Sequence, residues 1–170
     1  MELVYCLCCG TRTTEQLVDG VPRARCPKCE WVHYHDPKVA AGVIIFDSKK
    51  RVLLVQRAIP PVDTWTFPGG YVDRFEDPDK AACREVFEET GMTVQTTELL
   101  GIYRAQDSPV LLLVYLGEAT LKSAPPRALH ECKDARYFTQ EEIPWEHLSF
   151  ETTLRALKES YATRAEARVE

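Results

Sequence analysis

Glu85, Glu88 and Glu89 fall within five consecutive residues, and that spacing fixes their relative placement if the segment is helical. At about 100° per residue with Glu85 at zero, Glu88 falls near −60° and Glu89 near +40°, while Cys83, Val86 and Phe87 fall between about +100° and +200°. One face then carries three carboxylates, and the other offers apolar surface to a sheet. Like charges at i,i+4 repel by roughly 0.2–0.5 kcal/mol in an isolated helix, so converging acids call for a compensating cation. Oxygen-only ligands select Mg2+ or Mn2+ over zinc or copper. A plain solvated acidic face would look similar on the helix alone. The preceding residues favour the metal: Gly69-Gly70 lets backbone approach an ion or phosphate closely, and Glu76 adds a further acid.

A second group of potential ligands lies at the N-terminal end. Five of the seven cysteines occur in the first 29 residues, and the pairs Cys6-x2-Cys9 and Cys26-x2-Cys29 are separated by sixteen residues. Two such knuckles offer four thiolates, which at ~2.3 Å complete the tetrahedron of a closed, structural zinc site. Disulfides in a secreted module, or isolated reduced thiols, are the alternatives. Cys8 is surplus to the pairing, with the capacity to replace Cys9. Thr11 to Arg25 has only Leu17, Val18 and Val21 as sizeable apolar residues, too few to fold without the metal. Gly10 and Gly20 suit tight turns, so a ribbon of two or three strands is expected. Trp31 to Pro37 alternates as an extended strand, with His33 and His35 read as surface or supporting groups rather than ligands.

The elements that must position the acids follow from pattern. Val39 to Phe46 and Arg51 to Gln56 are rich in β-formers and flank the polar turn Asp47-Ser48-Lys49-Lys50, which predicts a hairpin. The aromatic run Trp65-Thr66-Phe67 should be stopped by Pro68-Gly69-Gly70. Asp77-Pro78 predicts a helix start, and Gly91 an end after Thr90. Strands are expected over Glu98–Arg104, Val110–Leu116 and Arg136–Phe138, and a helix over Leu148–Tyr161, with a fraying tail at 163–170. The alternation favours an α/β domain with a mixed sheet.

Gly70-x5-Glu76-x7-Arg84-Glu85-Val86-x-Glu88-Glu89-x-Gly91-Met92 resembles the complete Nudix box. The resemblance to Nudix hydrolases spans about Asp36 to Phe150, and Tyr5 to Tyr34 resembles the zinc-ribbon extension of a subgroup near the ADP-ribose/FAD pyrophosphatases. It implies an α/β/α sandwich with a mixed sheet after a small zinc ribbon: residues 1–34 the ribbon, 35–162 the hydrolase domain, 163–170 a tail. It also implies that Glu85, Glu88 and Glu89, with the Gly70 carbonyl, hold two or three Mg2+ or Mn2+ ions. Arg84 and Glu76 then support the box, and Arg57, Gly70 and Trp65 are candidate substrate contacts, Trp65 being equally readable as core. Glu131 matches a later acid that serves as the catalytic base in some members, though a solvated loop residue is the plain alternative. Asp107 and Glu118 are weaker candidates. One position departs from the family: Phe75 stands where glycine usually precedes the first glutamate, and a side chain there is expected to resist positive φ and change the turn.

The activity implied is hydrolysis of a nucleoside diphosphate linked to another moiety, with ADP-ribose or FAD as substrate and AMP as product. No Ser-Gln-Pro-Trp-rich segment follows Met92, which weighs against NADH, and Leu148-Ser149-Phe150 resembles the Leu-Ala-Phe segment of the ADP-ribose/FAD subgroup. Tyr103, Tyr115 or Phe150 could stack on adenine, or serve as core. A modified nucleoside triphosphate, a capped RNA end, or a non-catalytic RNA-binding role using Arg12, Arg23, Arg25 and Lys28 are the other readings, and the intact glutamates argue against the last. Composition bounds these choices. The 170 residues suit one principal domain, and a net charge of −5 gives no broad positive field for duplex DNA. The longest apolar runs, Val39–Phe46 and Pro109–Leu116, fall far short of the ~20 residues of a membrane span. Without a basic-then-apolar leader, a cytoplasmic location is the expectation, and the family suggests a homodimer in which the ribbon takes part.

Overall fold

The computed structural model describes residues 4–166, and the chain falls into two compact units divided between Pro37 and Lys38. The first is an antiparallel ribbon of β1 (Thr14–Val18), β2 (Val21–Arg25) and β3 (Val32–His33), in that order. Asp19 and Gly20, both at positive φ, make the tight β1–β2 turn. Its interior is small: Cys6, Thr13, Ala24 and Cys26 are buried, whereas Leu7 and Leu17 are exposed. The expected strand over 31–37 contracts to Val32–His33.

The second unit is built on a four-stranded mixed sheet ordered β7-β4-β9-β8. Here β4 (Lys38–Ile45) runs parallel to β9 (Val110–Ala119) and antiparallel to β7 (Gly69–Tyr71), and β8 (Val94–Tyr103) pairs antiparallel with β9. A three-stranded antiparallel sheet joins β10 (Cys132–Phe138), β5 (Val52–Arg57) and β6 (Trp65–Thr66). The period-2 alternation of β4 divides the core. Ala41, Val43 and Ile45 pack with Ala81, Ala82 and Val86 of α1 (Pro78–Thr90). Ile44 faces the other way, into a cluster with Trp65, Phe67 and Phe138 that α2 (Glu151–Glu166) closes with Ala156 and Leu157. The result is the expected α/β/α arrangement with a mixed sheet. Burial on both faces explains why β4 reads as a nearly unbroken apolar run. Among the described residues, no helix is long and apolar enough to cross a membrane.

Four details depart from expectation. The β4–β5 hairpin is not made: the chain reverses around Asp47, whose carboxylate accepts the Lys49 and Arg51 N–H groups at 2.9 Å each, but only the Phe46–Val52 bridge follows. Both strands are buried on two faces, so each finds its partners elsewhere. The Trp65 run does stop, at Thr66, but Gly69-Gly70 is not only a stop: the chain passes from one sheet to the other at Pro68, and Gly69–Tyr71 pairs with Ala40–Gly42 as a strand of its own. Phe87 is 57% exposed, because the buried face of α1 centres on Ala82, Val86 and Thr90. The last helix starts at Glu151, after a 3-10 turn at Trp145–His147, and continues through the proposed tail to Glu166, while 167–170 lie outside the described residues.

Candidate active site

The box loop and α1 are set by local rules. Asp77 is extended (φ −74°, ψ 135°), and Pro78 opens the helix, although the Asp77 side chain makes no capping bond. Gly91 ends it in the left-handed conformation at φ 69°, its N–H donating to the Phe87 carbonyl at 2.8 Å. Phe75 does not change the turn as expected. It takes φ 72° itself, is 92% exposed, and lies beside the Arg74 guanidinium at 4.6 Å. The glycine-like backbone is kept at the expense of local strain, because Asp73–Glu76 is fixed from both ends: the Glu76 N–H donates to the Asp73 carbonyl, and the Asp73 N–H to the Glu76 carboxylate, at 3.1 Å each.

Arg84 organises the acids. Its Nε and Nη2 donate to the two Glu76 oxygens at 2.9 Å each, a bidentate pair, and Nη2 also donates to the Tyr71 carbonyl at 3.0 Å. Nη1 is thereby aimed at Glu85, 2.7 Å, and Glu88, 3.2 Å. Glu89 stands apart from this guanidinium and accepts the Gly69 N–H at 3.1 Å. Close backbone approach requires the glycines. A Cβ on Gly69 would lie 2.6 Å from the Ala41 carbonyl oxygen and the Gly42 Cα, and one on Gly70 would lie 2.5 Å from the Glu85 carboxyl carbon.

The electrostatics differ from acid to acid. Hydrogen bonding to Arg84 holds the Glu76 carboxyl below its usual range. Burial pushes Glu85 up, aided by the charges of Glu88 and Glu131 and opposed by Arg84. Burial, with the charge of Glu85, pushes Glu89 up to about 7 against the lowering effects of the Gly69 N–H and Arg57. A site that raises two carboxyls while keeping them beside a third suits hard cations.

All three glutamates line one cleft of about 580 Å3, together with Gly70, Arg84, Arg57 and Glu131. The structure therefore brings together every sequence-predicted candidate of the main unit except Trp65, Tyr103, Tyr115, Asp107 and Glu118, with Glu76 joined to the site through Arg84. Trp65 is 7% exposed and packs edge-on against Phe138 in the core, outside the cleft lining, so its assignment as a substrate contact is corrected. Asp107 and Glu118 are exposed and line no part of the cleft. Tyr103 is core, its hydroxyl donating to Glu159 at 2.8 Å, whereas Phe150 is 43% exposed and lines the cleft. Sequence reasoning missed Ser108, Thr152 and Thr153 on the cleft wall. Ser108 comes from the β8–β9 loop and Thr152 and Thr153 from the first turn of α2, and no motif or spacing ties the loop to the helix.

In the ribbon, the Sγ atoms of Cys6, Cys9, Cys26 and Cys29 all lie within 4.8 Å of one another, the one such group among the described residues. Cys6–Cys29 and Cys9–Cys26 are 3.4 and 3.5 Å apart. These separations are far from the ~2.05 Å of a disulfide and near the ~3.8 Å edge of a tetrahedron with ~2.3 Å zinc–sulfur arms. The knuckles match: the Gly10 N–H donates to the Cys6 carbonyl at 2.9 Å and the Glu30 N–H to the Cys26 carbonyl at 3.0 Å. Cys8 is exposed and outside the group, although its N–H donates to the Cys6 sulfur at 3.4 Å. The donor set fits zinc. The glutamates face one cleft, but their oxygens are not gathered as closely as the four thiols are.

Residues 36–158 match the NUDIX domain model. The chain is similar to a NUDIX hydrolase of known structure from Nitrosomonas europaea, with 32% identity and a TM-score of 0.79 over 91% of this chain and 88% of that one. It is 37% identical over 75 residues to a MutT-like protein of Streptomyces ambofaciens, covering 44% of this chain and 47% of that protein. Over 115 residues it is 29% identical to an ADP-ribose pyrophosphatase of Methanocaldococcus jannaschii, covering 65% of this chain and 67% of that protein. The chain spans about half or less of the length of the first curated relatives it matches. With the box glutamates, their supporting arginine and the sandwich fold in place, the chain belongs to the NUDIX family of hydrolases.

Proposed function

We propose that the protein is a divalent-metal-dependent pyrophosphohydrolase that cleaves ADP-ribose or FAD and releases AMP. The observation that carries this reading is the convergence of Glu85, Glu88 and Glu89 on one cleft, with Arg84 locked by Glu76 and with Gly70 against Glu85. The three carboxylates and the Gly70 carbonyl would hold Mg2+ or Mn2+. When bound, such ions neutralise pyrophosphate oxygens and acidify water. The remaining work falls to the chain. Arg84, fixed on Glu76, keeps Glu85 and Glu88 oriented, and the Gly69 N–H does the same for Glu89. Glu131 accepts the proton as the water oxygen bonds to phosphorus and the anhydride P–O bond breaks, and Arg57 contacts the substrate. The relative described as an ADP-ribose pyrophosphatase supports the substrate class. Within the same reading, the four ribbon thiolates hold a structural zinc, and the chain pairs as a homodimer, for which sedimentation should find twice the chain mass and a lone monomer would count against it.

The test is a screen of ADP-ribose, FAD, NADH and a modified nucleoside triphosphate with Mg2+ and with Mn2+, identifying products. AMP should appear from ADP-ribose or FAD, vanish on chelation and return with added Mg2+. Metal-independent turnover, or release of inorganic pyrophosphate from the triphosphate alone, would overturn the assignment.

A further inference from the structure

The cleft that holds the glutamates also has an aromatic side chain in its wall. Phe150 immediately precedes α2, lines the cleft and leaves 43% of its surface exposed. The Arg57 guanidinium lies 5.2 Å from its ring centroid, a cation–π contact that backs the ring. Arg57 is itself held, its Nη2 donating to the Pro60 carbonyl at 2.7 Å, while its buried Nε has no hydrogen-bond partner among the described residues.

Both partners hang from one segment. The Arg57 N–H donates to the Thr64 carbonyl at 2.9 Å, and the Asp63 N–H returns to the Arg57 carbonyl at 3.0 Å. On the other side, the Ser149 N–H donates to the Trp65 carbonyl at 2.9 Å, and the Ser149 and Thr64 hydroxyls are 2.8 Å apart. Since Trp65 is core, residues 63–65 anchor the arginine and the phenylalanine to the folded body, so the pair is pre-organised before any ligand arrives. Ile59, 37% exposed, adds apolar surface to the same cleft.

We propose that Phe150, backed by Arg57, is the stacking shelf for an aromatic base, and that it directs the cleft toward base-bearing nucleotides over base-free sugar phosphates. The shelf rests on the hydrolase reading only for where the phosphates lie. A cation against an aromatic ring leaves the ring's remaining surface for a second flat partner, and every nucleobase presents a π-face. A base-free sugar phosphate gains nothing from such a surface.

Calorimetry with AMP and with ribose 5-phosphate, both with Mg2+, tests the shelf without turnover. The intact protein should bind AMP more tightly. Phe150→Ala and Phe150→Leu should weaken AMP by about 5- to 150-fold, the loss of one stacked base, with ribose 5-phosphate unchanged, and Phe150→Trp should restore AMP. The leucine variant keeps apolar bulk, so a shared loss reports the ring and not folding. Equal weakening of both ligands, no weakening, or no AMP binding by the intact protein would overturn the shelf. Hydrolysis of ADP-ribose with an unchanged KM in Phe150→Ala sinks the shelf alone. AMP binding that depends on Phe150, in a protein that cleaves no anhydride, sinks the hydrolase reading alone.

Discussion

Replacing Gly69 or Gly70 with alanine adds the same methyl group to adjacent residues, yet the consequences should separate folding from chemistry. At Gly69 the new Cβ would meet backbone, the Ala41 oxygen and the Gly42 Cα at 2.6 Å. Those atoms belong to the central strand β4, which cannot yield without disturbing its pairing with β7. Overpacking of this kind costs about 1–3 kcal/mol, and at about 2–4 °C per kcal/mol for a chain of this size the melting temperature should fall by roughly 2–12 °C. At Gly70 the Cβ would instead meet the Glu85 carboxylate at 2.5–2.6 Å. That group ends a flexible side chain and can swing away, so the fold survives and the carboxylate is lost from its place against Arg84. Misplacing a ligand or its support weakens metal binding by about 10- to 100-fold. Thermal unfolding, paired with Mn2+ titration of AMP release, reads both effects. Gly69→Ala should melt early, and Gly70→Ala should melt normally but need far more Mn2+. If Gly70→Ala melts as early as Gly69→Ala while keeping its metal requirement, the proposed role of the glycine pair is wrong.

Other consequences can be checked independently. Phe75→Gly relieves a left-handed backbone that costs roughly 1–2 kcal/mol, less about 0.5–1 kcal/mol for glycine's extra freedom, so denaturant unfolding should show no loss of stability and a net gain of up to about 1.5 kcal/mol. In the ribbon, Cys9→Ser should abolish zinc binding measured by elemental analysis, whereas Cys8→Ser should leave one zinc per chain. Burial pushes the Asp47 carboxyl up, but the Arg51 and Lys49 N–H groups and the Arg51 guanidinium outweigh it and hold the group below its ordinary value. The stability it supplies is therefore complete above the unfolded value of about 3.9 and lost as pH falls through the folded value. The gap between the intact protein and Asp47→Asn, measured by urea unfolding, should be full at pH 6 and close below pH 4.

What could be read from the sequence was what local rules decide. The limits of α1 follow from Pro78 and Gly91, the face shared by the glutamates from helical period, and the thiol group from knuckle spacing. Pairing partners were not legible. The turn at Asp47 looks like a hairpin turn, and only the demand of two buried faces sends β4 and β5 to different sheets. Trp65 could not be separated from a substrate contact, because an aromatic beside a glycine loop suits either role; burial against Phe138 decides it. Phe75 shows the opposite failure: steric preference argued against positive φ, but the hydrogen bonds that fix the loop prevail. The Arg57–Phe150 contact joins residues far apart in sequence, and nothing short of the fold would pair them.

The central claim is that three glutamates on α1 form a hard-cation site, and calorimetric titration of the zinc-loaded protein with Mn2+ tests it most directly. The intact chain should bind Mn2+, and Glu85→Gln and Glu89→Gln should each weaken that binding by about 10-fold or more while their melting temperatures hold. Undiminished Mn2+ affinity in both variants, or no association with the intact chain, would contradict it.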